Sequence, residues 1–429
     1  MQKLLAAGVA LFLASPAFAG GFYLQEQDPA AVGRAFAGEA AIANDASTIA
    51  FNPAGMTKLG KLTFTNGAHA IFIDNSQSDR GTTRTRTATG ATTATGGNDG
   101  GNPFAKVVPL PAAYGAMRVG DSSLWLGMGV TAPFGLKVVY DQGWFGRYDS
   151  ITSDVKTFNF QPSAAYALSD RFSIGVGVNI QYAEAKLTNA LPNPGVPGAD
   201  GLFAVKGDDI SFGWNGGVLA DLGNVRLGAH YRSGIEHRLS GMLTISGLQG
   251  GLAAANGSQR MQAPVDLPDV ATASIVIGAR GPWRLMASGG WYNWSVFKEI
   301  RIVPATGAAR VSPQNYKDTW SASIGAEHDL RPGLTLRGGL MRDGGPTQDG
   351  FRTTRVAGGD RTWTSAGASI GLTPHMTMDL AYAHVFVKDA LVNRTDTFFA
   401  GTAAQTIVTT RSRDRTNIDM VGLAVTARF

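Results

Sequence analysis

The sequence contains no cysteine and few charged residues. Because cysteine is absent from all 429 positions, disulfides and thiolate metal sites are excluded. Charged residues make up 16% of the chain, against roughly 25% in ordinary soluble domains. No stretch reaches about 18 consecutive apolar residues, so helical membrane spans are not expected. A large chain this poor in charge is typical of a protein with one surface facing lipid, and its 56 glycines suit crowded or bent strands.

The first 19 residues predict a secretory signal peptide. Lys3 precedes an apolar run over residues 4–13, and Ala17-Phe18-Ala19 supplies the small-residue cleavage pattern. We expect Gly20 to be the first mature residue, and the formal charge of +5 to fall by one when Lys3 is removed. The other basic residues are scattered along the chain, which argues against a nucleic-acid partner.

Residues 20–60 differ from everything that follows them. They are rich in Ala and Gly, contain Asn52-Pro53-Ala54 near their end, and lack an alternating apolar pattern. Small residues let a segment pack closely against surrounding walls without a core of its own. We therefore predict three parts: a signal peptide over residues 1–19, an N-terminal plug over 20–60, and a barrel over 61–429.

The remainder of the chain shows the two-residue period of β-strands. In residues 171–182 an apolar face that runs from Phe172 to Tyr182 alternates with a small and polar face that includes Gly175, Asn179 and Gln181. Such a polar face packs poorly against a second sheet. It suits the wet or plugged lumen of a membrane barrel.

Counting such segments gives an even number of strands. Most are long enough for the roughly 9–11 residues of a membrane strand. The fourteen candidates lie near residues 61–73, 106–119, 122–132, 150–168, 171–188, 207–221, 224–244, 265–280, 282–303, 313–329, 332–342, 359–372, 375–388 and 413–429.

The connections between the predicted strands alternate in length. Tight turns such as Gly120-Asp121 and Thr373-Pro374 alternate with longer segments such as 189–206 and 245–264. This alternation is the pattern of an outer-membrane barrel, whose short turns face the periplasm. The sequence thus predicts an all-β fold, a fourteen-stranded antiparallel transmembrane β-barrel with the plug in its lumen. We expect a multi-pass protein of the outer membrane of a Gram-negative bacterium.

Aromatic residues stand near several predicted strand ends. An aromatic last residue, Phe429, resembles the signal by which the barrel assembly machinery recognises its clients. Residues expected in interfacial girdles, with ordinary strand aromatics as the alternative, are Trp125, Tyr166, Trp283, Trp291, Tyr292, Trp294 and Tyr382.

Short blocks along almost the whole mature chain resemble one known family. They occur in the order found in the FadL/TodX (OmpP1) family of outer-membrane transporters for hydrophobic compounds. The blocks are Gly21-Phe22-Tyr23-Leu24, Gly33-Arg34-Ala35-Phe36-Ala37-Gly38-Glu39, Ala43-Asn44-Asp45-Ala46, Asn52-Pro53-Ala54, Ala132-Pro133-Phe134-Gly135-Leu136, Gly146-Arg147-Tyr148, Tyr231-Arg232-Ser233, Leu267-Pro268-Asp269, Trp294-Ser295-Val296-Phe297-Lys298, Asp360-Arg361-Thr362-Trp363, Leu380-Ala381-Tyr382-Ala383 and Val387-Lys388-Asp389.

The resemblance implies passive uptake of long-chain fatty acids or other hydrophobic molecules. In such a family the ligand is caught by external loops, moves to a site beside the plug, and leaves sideways where the third strand is kinked. The matching gate positions are Phe22, Asn52, Pro53 and Ala54, and the matching kink positions are Pro133, Phe134 and Gly135. Pro133 lacks a backbone donor and Gly135 lacks a side chain, so strand three should pair poorly there, although Pro133 could simply begin a loop.

Long predicted loops supply candidate ligand contacts. Exposed apolar residues on loops form either a ligand groove or a self-packed lid, and we expect a groove made of Leu191, Leu202, Phe203, Leu248, Leu252 and Met261. Arg147 and Lys186 are candidate partners for a substrate carboxylate. The Thr/Gly/Arg-rich residues 81–102 are expected to be mobile.

Other functions are weaker on the sequence. Monoaromatic or alkane hydrocarbons are the alternative substrates, since an apolar channel discriminates poorly. A lipid hydrolase would need a Ser/His pair such as Ser369 and His384, and a porin or adhesin would have an open lumen. No metal site is expected from the six histidines, and no ATP or redox cofactor is indicated. We expect a monomer among outer-membrane lipid and lipopolysaccharide.

Overall fold

The computed structural model describes residues 21–194, 199–356 and 358–429. The predicted signal peptide and Gly20 lie outside the described residues. The described chain forms a barrel of fourteen strands, six of them interrupted and given as halves a and b. They are β1 Leu62–Asp79, β2 Val108–Arg118, β3a Leu124–Thr131, β3b Gly135–Val139, β4 Thr152–Ala167, β5 Phe172–Leu191, β6 Gly201–Asp221, β7a Val225–Arg232, β7b Ile235–Ser246, β8a Gly257–Leu267, β8b Val270–Ile277, β9a Trp283–Tyr292, β9b Glu299–Pro304, β10a Arg310–Pro313, β10b Thr319–Arg331, β11 Leu334–Asp343, β12 Arg361–Thr373, β13a Met376–Val387, β13b Ala390–Phe398 and β14 Thr406–Arg428.

The barrel is closed by its first and last strands. β1 pairs antiparallel with β14 from Thr63 opposite Arg428 to Asp79 opposite Ser412. Neighbouring strands are antiparallel around the wall. The predicted fourteen-stranded antiparallel barrel is confirmed. In the described part of the chain, no helix has both the length and the apolar character needed to cross a membrane.

The barrel wall is apolar outside and small or polar inside. On β5 the side chains of Phe172, Ile174, Val176 and Val178 are exposed. The residues that alternate with them, from Ser173 to Asn179, are buried. Burial is therefore inverted relative to a soluble sheet, because the outer face meets lipid. The predicted alternation is confirmed on this strand.

Strand ends differ from the prediction on the side of the long connections. β6, β8a and β14 begin at Gly201, Gly257 and Thr406, earlier than predicted. The strands continue past the lipid-facing region, where the apolar alternation used to find them no longer applies. Residues 81–102 are also more ordered than expected, because they contain a hairpin, Thr83–Arg86 with Ala91–Ala94, that pairs with β14.

Before β1 the chain folds into short helices inside the lumen. α1 (Pro29–Val32) contacts β1, β12, β13a and β14, α2 (Glu39–Ile42) contacts β7a and β8b, and α3 (Thr48–Phe51) contacts β3a and β4. A 3₁₀ helix, Pro53–Lys58, contacts β3a, β4, β5 and β6. Because these contacts run around the barrel, the leading segment, residues 21–60, fills the lumen. Two other 3₁₀ turns, Gly250–Ala255 and Trp294–Val296, lie in the connections after β7b and β9a.

The predicted aromatic girdles are only partly present. Tyr166, Trp283 and Tyr382 are exposed on the outer wall as expected. The assignment is wrong for three residues that point into the lumen, where the leading segment or a cavity takes up their rings: Trp125, Tyr292 and Trp294. Trp291 is half-buried, and Trp214 and Trp320 are exposed aromatics that were not in the predicted set.

Candidate ligand-binding site

The first residues of the leading segment fill a gap in the barrel wall at strand three. β3a pairs with both β2 and β4, but β3b pairs with β4 alone, so Val108–Ala112 of β2 lacks a strand-three partner among the described residues. Leu24 N donates to Pro133 O at 2.7 Å, and Gly135 N donates to Phe22 O at 2.9 Å. The leading segment thus supplies the backbone partners that β2 does not.

Gln27 completes this closure with its side chain. Its Nε2 donates to Ala132 O at 3.1 Å, and its Oε1 accepts from Ala132 N at 3.3 Å. The amide therefore imitates a neighbouring strand at the residue before Pro133. Sequence reasoning missed Gln27, since a glutamine in a polar segment carries no signal of a partner 105 residues away.

Asn52, Pro53 and Ala54 lie deeper in the lumen, against β5 and β6. Asn52 Nδ2 donates to Ala40 O at 2.6 Å and to Val218 O at 2.9 Å, and its Oδ1 caps the 3₁₀ helix at Ala54 N. The wall opposite is made of glycine. A Cβ on Gly217 would lie 2.1 Å from Asn52 Oδ1, and one on Gly175 would lie 2.2 Å from Ala54 N. The predicted gate residues of this group are therefore tightly fixed.

An ion-pair network holds the middle of the leading segment. Arg34 pairs with Glu39 at 2.7 Å and with Glu327 of β10b at 3.2 Å. Glu327 also pairs with Arg284 and Arg337. All but Arg284 are buried, so removing one member would leave an uncompensated charge, which is strongly unfavourable.

An apolar cavity lies between the leading segment and the long connections. Its lining is almost entirely hydrophobic, as is typical of sites for apolar ligands. Phe22 forms one side of it, with its ring 4.9 Å from that of Trp294 and 5.4 Å from that of Phe297. Aliphatic side chains from several strands complete the lining, among them Leu136, Val155, Leu239, Met261 and Ile302.

Arg355 is the cation at this cavity. It lies on the connection between β11 and β12 and donates to Ser153 Oγ at 2.8 Å and to Asp149 O at 2.6 Å. No carboxylate of the described residues lies within 4.0 Å of its guanidinium. Burial lowers the pKa of Arg355, against the opposing charge of Asp149. A desolvated guanidinium bonded only to neutral acceptors can bind an anion.

The two predicted carboxylate partners lie elsewhere. Arg147 pairs with Asp200 at 2.7 Å, and Lys186 is exposed on β5. Neither lines the cavity. The local sequence does not distinguish Arg355 from Arg352, three residues earlier. Arg352 pairs with Asp349, whereas Arg355 has no such partner in the part of the chain that the structure describes. Only the packing of distant strands distinguishes the two arginines.

The predicted groove residues are placed differently from the expectation. Leu191, Leu202, Phe203 and Met261 belong to strands and not to loops, because β5, β6 and β8a extend further than predicted. Leu248 is buried with Leu191, Phe203 and Met261 in one cluster, against which the half-buried Leu252 packs. Leu202 is exposed, and Met261 is the member of this set that lines the cavity.

The residues considered for a hydrolase are not brought together. Ser369 pairs with Asp379 across the β12–β13a ladder, whereas His384 pairs with Thr364 five rungs away. Ser369 Oγ bonds to Arg337 and Asp379, and His384 Nδ1 lies 2.8 Å from Asp419 Oδ1. The geometry offers no serine–histidine pair at this position.

Comparison with known proteins gives consistent matches over the full barrel. The sequence profile of the family described as outer membrane protein transport protein (OMPP1/FadL/TodX) matches residues 10–429. A long-chain fatty acid transport protein of Salmonella typhi is 26% identical over 418 residues, covering 91% of this chain and 93% of that protein. Outer membrane protein P1 of Haemophilus influenzae is 28% identical over 418 residues, covering 90% and 89%.

Solved structures share the fold. A Pseudomonas aeruginosa FadL homologue superposes with a TM-score of 0.86 at 24% identity, over 95% of this chain and 100% of that chain. The Pseudomonas putida toluene transporter TodX gives a TM-score of 0.68 at 14% identity, over 96% and 100%. At these sequence identities the superpositions show the architecture and do not identify the substrate.

Proposed function

Since the chain belongs to the outer membrane protein transport family OMPP1/FadL/TodX, we propose that it takes up long-chain fatty acids across the outer membrane by passive diffusion. The family membership and the barrel fold make it an outer-membrane protein for uptake of hydrophobic compounds. The acid is held in the apolar cavity, with its chain against the aliphatic wall. Its carboxylate binds Arg355.

The observation that carries this proposal is the guanidinium of Arg355. An alkane would gain nothing from a cation and an aromatic hydrocarbon only a cation–π contact, whereas a carboxylate would gain a charge-assisted hydrogen bond in a site with little water. Thr353 and Gln314 also border the cavity and can complete the polar end. Arg147 remains the sequence-based candidate, but a ligand there would have to compete with Asp200.

The route continues at strand three. We propose that release of residues 22–24 uncovers the gap between β2 and β3b, so that the ligand leaves sideways. One observation supports this. Phe22 belongs both to the cavity lining and to the backbone closure of the gap. Capture by the external cluster around Leu191 and Leu248 requires that cluster to open, since it is closed by its own side chains.

Equilibrium binding of labelled oleate to purified protein tests the substrate. Arg355→Met should weaken binding by about 10-fold to 100-fold, the value of a hydrogen bond to a charged group. Arg352→Met is the matched control, because its arginine lies on the same connection but pairs with Asp349. Arg147→Met and Lys186→Met, measured beside them, test the sequence-based candidates.

Toluene uptake by the same variants separates the two substrate classes. We expect Arg355→Met to change any toluene uptake much less than oleate binding, because toluene has no carboxylate for the guanidinium. Wild-type protein that takes up toluene but neither binds nor takes up oleate would overturn the fatty-acid proposal in favour of hydrocarbons. Oleate binding that is insensitive to Arg355→Met would overturn the assigned role of Arg355.

A further inference from the structure

The barrel wall has a second interruption, between β8 and β9. The ladder is continuous from Val270 opposite Tyr292 to Ile277 opposite Leu285. Beyond it, only Met261 and Gln262 pair with β9b. In the described chain, residues 263–269 therefore have no β-ladder partner on β9, and residues 293–302 have none on β8. We call this stretch the seam. Pro264, near one end of it, has no N–H to donate in any case.

The position of the seam along the barrel is marked by aromatic and charged residues. It starts directly beyond Trp291, which pairs with the exposed Trp320. Aromatic residues of this kind lie at the edge of the hydrocarbon region. Within and beside the seam, the outward side chains form ion pairs: Arg238 with Asp266 at 3.1 Å, and Arg301 with Glu299 at 2.6 Å. The seam thus lies at the polar outer surface of the membrane, where unpaired backbone groups can meet water.

The inner side of the seam is the ligand cavity. Val265 and Leu267 of β8a and Ile300 and Ile302 of β9b line it directly, together with Phe297 from the interruption in β9. The wall at this point is therefore one layer of apolar side chains without a backbone ladder. Side-chain packing of this kind can open without breaking a row of hydrogen bonds.

Asp269 fastens the lower end of the seam. Its Oδ1 accepts from Tyr231 Oη at 2.6 Å and from Gly234 N at 2.9 Å. Its Oδ2 accepts from Asn293 Nδ2 at 2.8 Å, and its backbone carbonyl accepts from Asn293 N at 3.0 Å. One carboxylate thus joins β7, β8 and β9 where all three are interrupted. Three of the sequence blocks, those around Tyr231, Pro268 and Trp294, converge at this point.

We propose that β8 and β9 part at the seam, which serves as a side entrance for apolar molecules from the outer membrane surface into the cavity. This inference rests on the proposed function, since it supplies the same cavity. It differs from capture by the external loops, because the ligand passes through the wall and the loops stay closed. Asp269 sets how readily the strands part.

A disulfide across the seam tests this directly. Counting onward from the pair Met261–Pro304 brings Val265 level with Ile300, both of which line the cavity, and the chain has no cysteine of its own. In the V265C/I300C double variant, stopped-flow fluorescence of cis-parinaric acid gives the rate of arrival in the cavity for protein in nanodiscs. The matched control is A273C/G289C, a pair on the same two strands within the intact ladder.

We expect oxidation to slow association at least about fivefold in V265C/I300C, with full recovery on reduction, and to leave A273C/G289C unchanged. Asp269→Asn, which keeps the shape but weakens the fastening, should raise the association rate about twofold or more and needs no disulfide. Unchanged association rates in both the oxidised pair and Asp269→Asn would overturn the side entrance while leaving the proposed function intact. Wild-type protein that binds no parinaric acid would overturn both.

Discussion

The two halves of the leading segment are held in the barrel by different forces. Residues 28–58 are anchored by the buried Arg34–Glu39–Glu327 network, by backbone packed against Gly175 and by the Asn52 side chain packed against Gly217. Residues 21–27 rely on backbone hydrogen bonds to strand three and on the amide of Gln27. Glu26 in this half is fully buried, and within the described residues no side chain donates a hydrogen bond to its carboxyl.

This difference explains how one segment can block the lumen and still open the gap in the barrel wall. The anchored half keeps the lumen filled, so the barrel need never become an open pore. The first half has no ion pair to break among the described residues, although Phe22 and Leu24 are buried, and its release uncovers only the side gap beside β3b.

Loss of the central cation should release the anchored half. Arg34→Met leaves Glu39 and Glu327 without their shared partner, which should destabilise docking of the segment by about 3–5 kcal/mol. Limited proteolysis should then cut within residues 28–58. The barrel itself should stay folded, as shown by a change in its migration in SDS gels on heating. Arg238→Met is the control, because its ion pairs are exposed and should contribute less than about 1 kcal/mol. Equal protease resistance of Arg34→Met and wild type would contradict the anchor.

Release of the first half should depend on pH through Glu26. Burial raises the pKa of Glu26 to about 8, against opposing effects of nearby backbone N–H groups and Arg361 and with a further raising effect of Asp343. Once undocked, the carboxyl returns to its ordinary value of 4.5. The contribution of Glu26 to the free energy of docking is therefore fully present below pH 4.5. It falls by about 1.4 kcal/mol per pH unit up to about pH 8.

A spin label at Gln25→Cys measures this release. We expect its mobility to rise between pH 6 and pH 8 in the wild-type background. In Glu26→Gln, which cannot ionise, the label should stay immobile over the same range. Identical pH profiles in the two backgrounds would exclude Glu26 as the source of the change.

Extra volume in the glycine wall should loosen the anchored half without affecting the first. Gly217→Ala places a Cβ 2.1 Å from Asn52 Oδ1, and overpacking of this kind costs about 1–3 kcal/mol. Gly289→Ala is the control, because its Cβ would meet nothing within 4 Å among the described residues. The thermal unfolding temperature should fall in Gly217→Ala only, and a fall in Gly289→Ala of equal size would point to strand propensity instead.

The smallest change concerns the closure of the side gap. Gln27→Leu keeps the side-chain size but removes the hydrogen bonds to Ala132, a loss of about 0.5–1.5 kcal/mol each before any cost of unpaired groups. The first half should then undock more often, which raises the rate of oleate uptake about twofold to tenfold. Asn52→Ala, in the anchored half, should lower thermal stability without this gain. An unchanged or slower uptake in Gln27→Leu would show that the first half does not limit passage.

The barrel could be predicted because lipid imposes a simple pattern. Residues such as Phe172 and Val176 must face out at every second position, and the short turns alternate with long connections. The pattern fails where lipid ends, which is why the starts of β6, β8a and β14 were misplaced. It also cannot separate an outward aromatic from an inward one near a strand end, as Trp125 and Trp294 illustrate.

The site was less accessible to sequence reasoning. Pro133 and Gly135 lie at the interruption between β3a and β3b, which the sequence could indicate because their backbone chemistry is local. The roles we assign to Gln27, Arg355 and Asp269 depend on partners far along the chain, and their local sequences contain no periodic signal. For Asp269 the preceding Pro268 gave a usable hint, since proline marks the interruption in β8.

The junction of β1 with β14 links the leading segment to the closure of the barrel. Leu62 and Phe429 exchange backbone hydrogen bonds, and Arg428 of the last strand donates to Asn44 O at 2.8 Å. The strand that closes the cylinder therefore also contacts the leading segment. A leading segment that docks before β14 arrives would be enclosed as the cylinder closes, whereas one that docks later would have to enter through an open end.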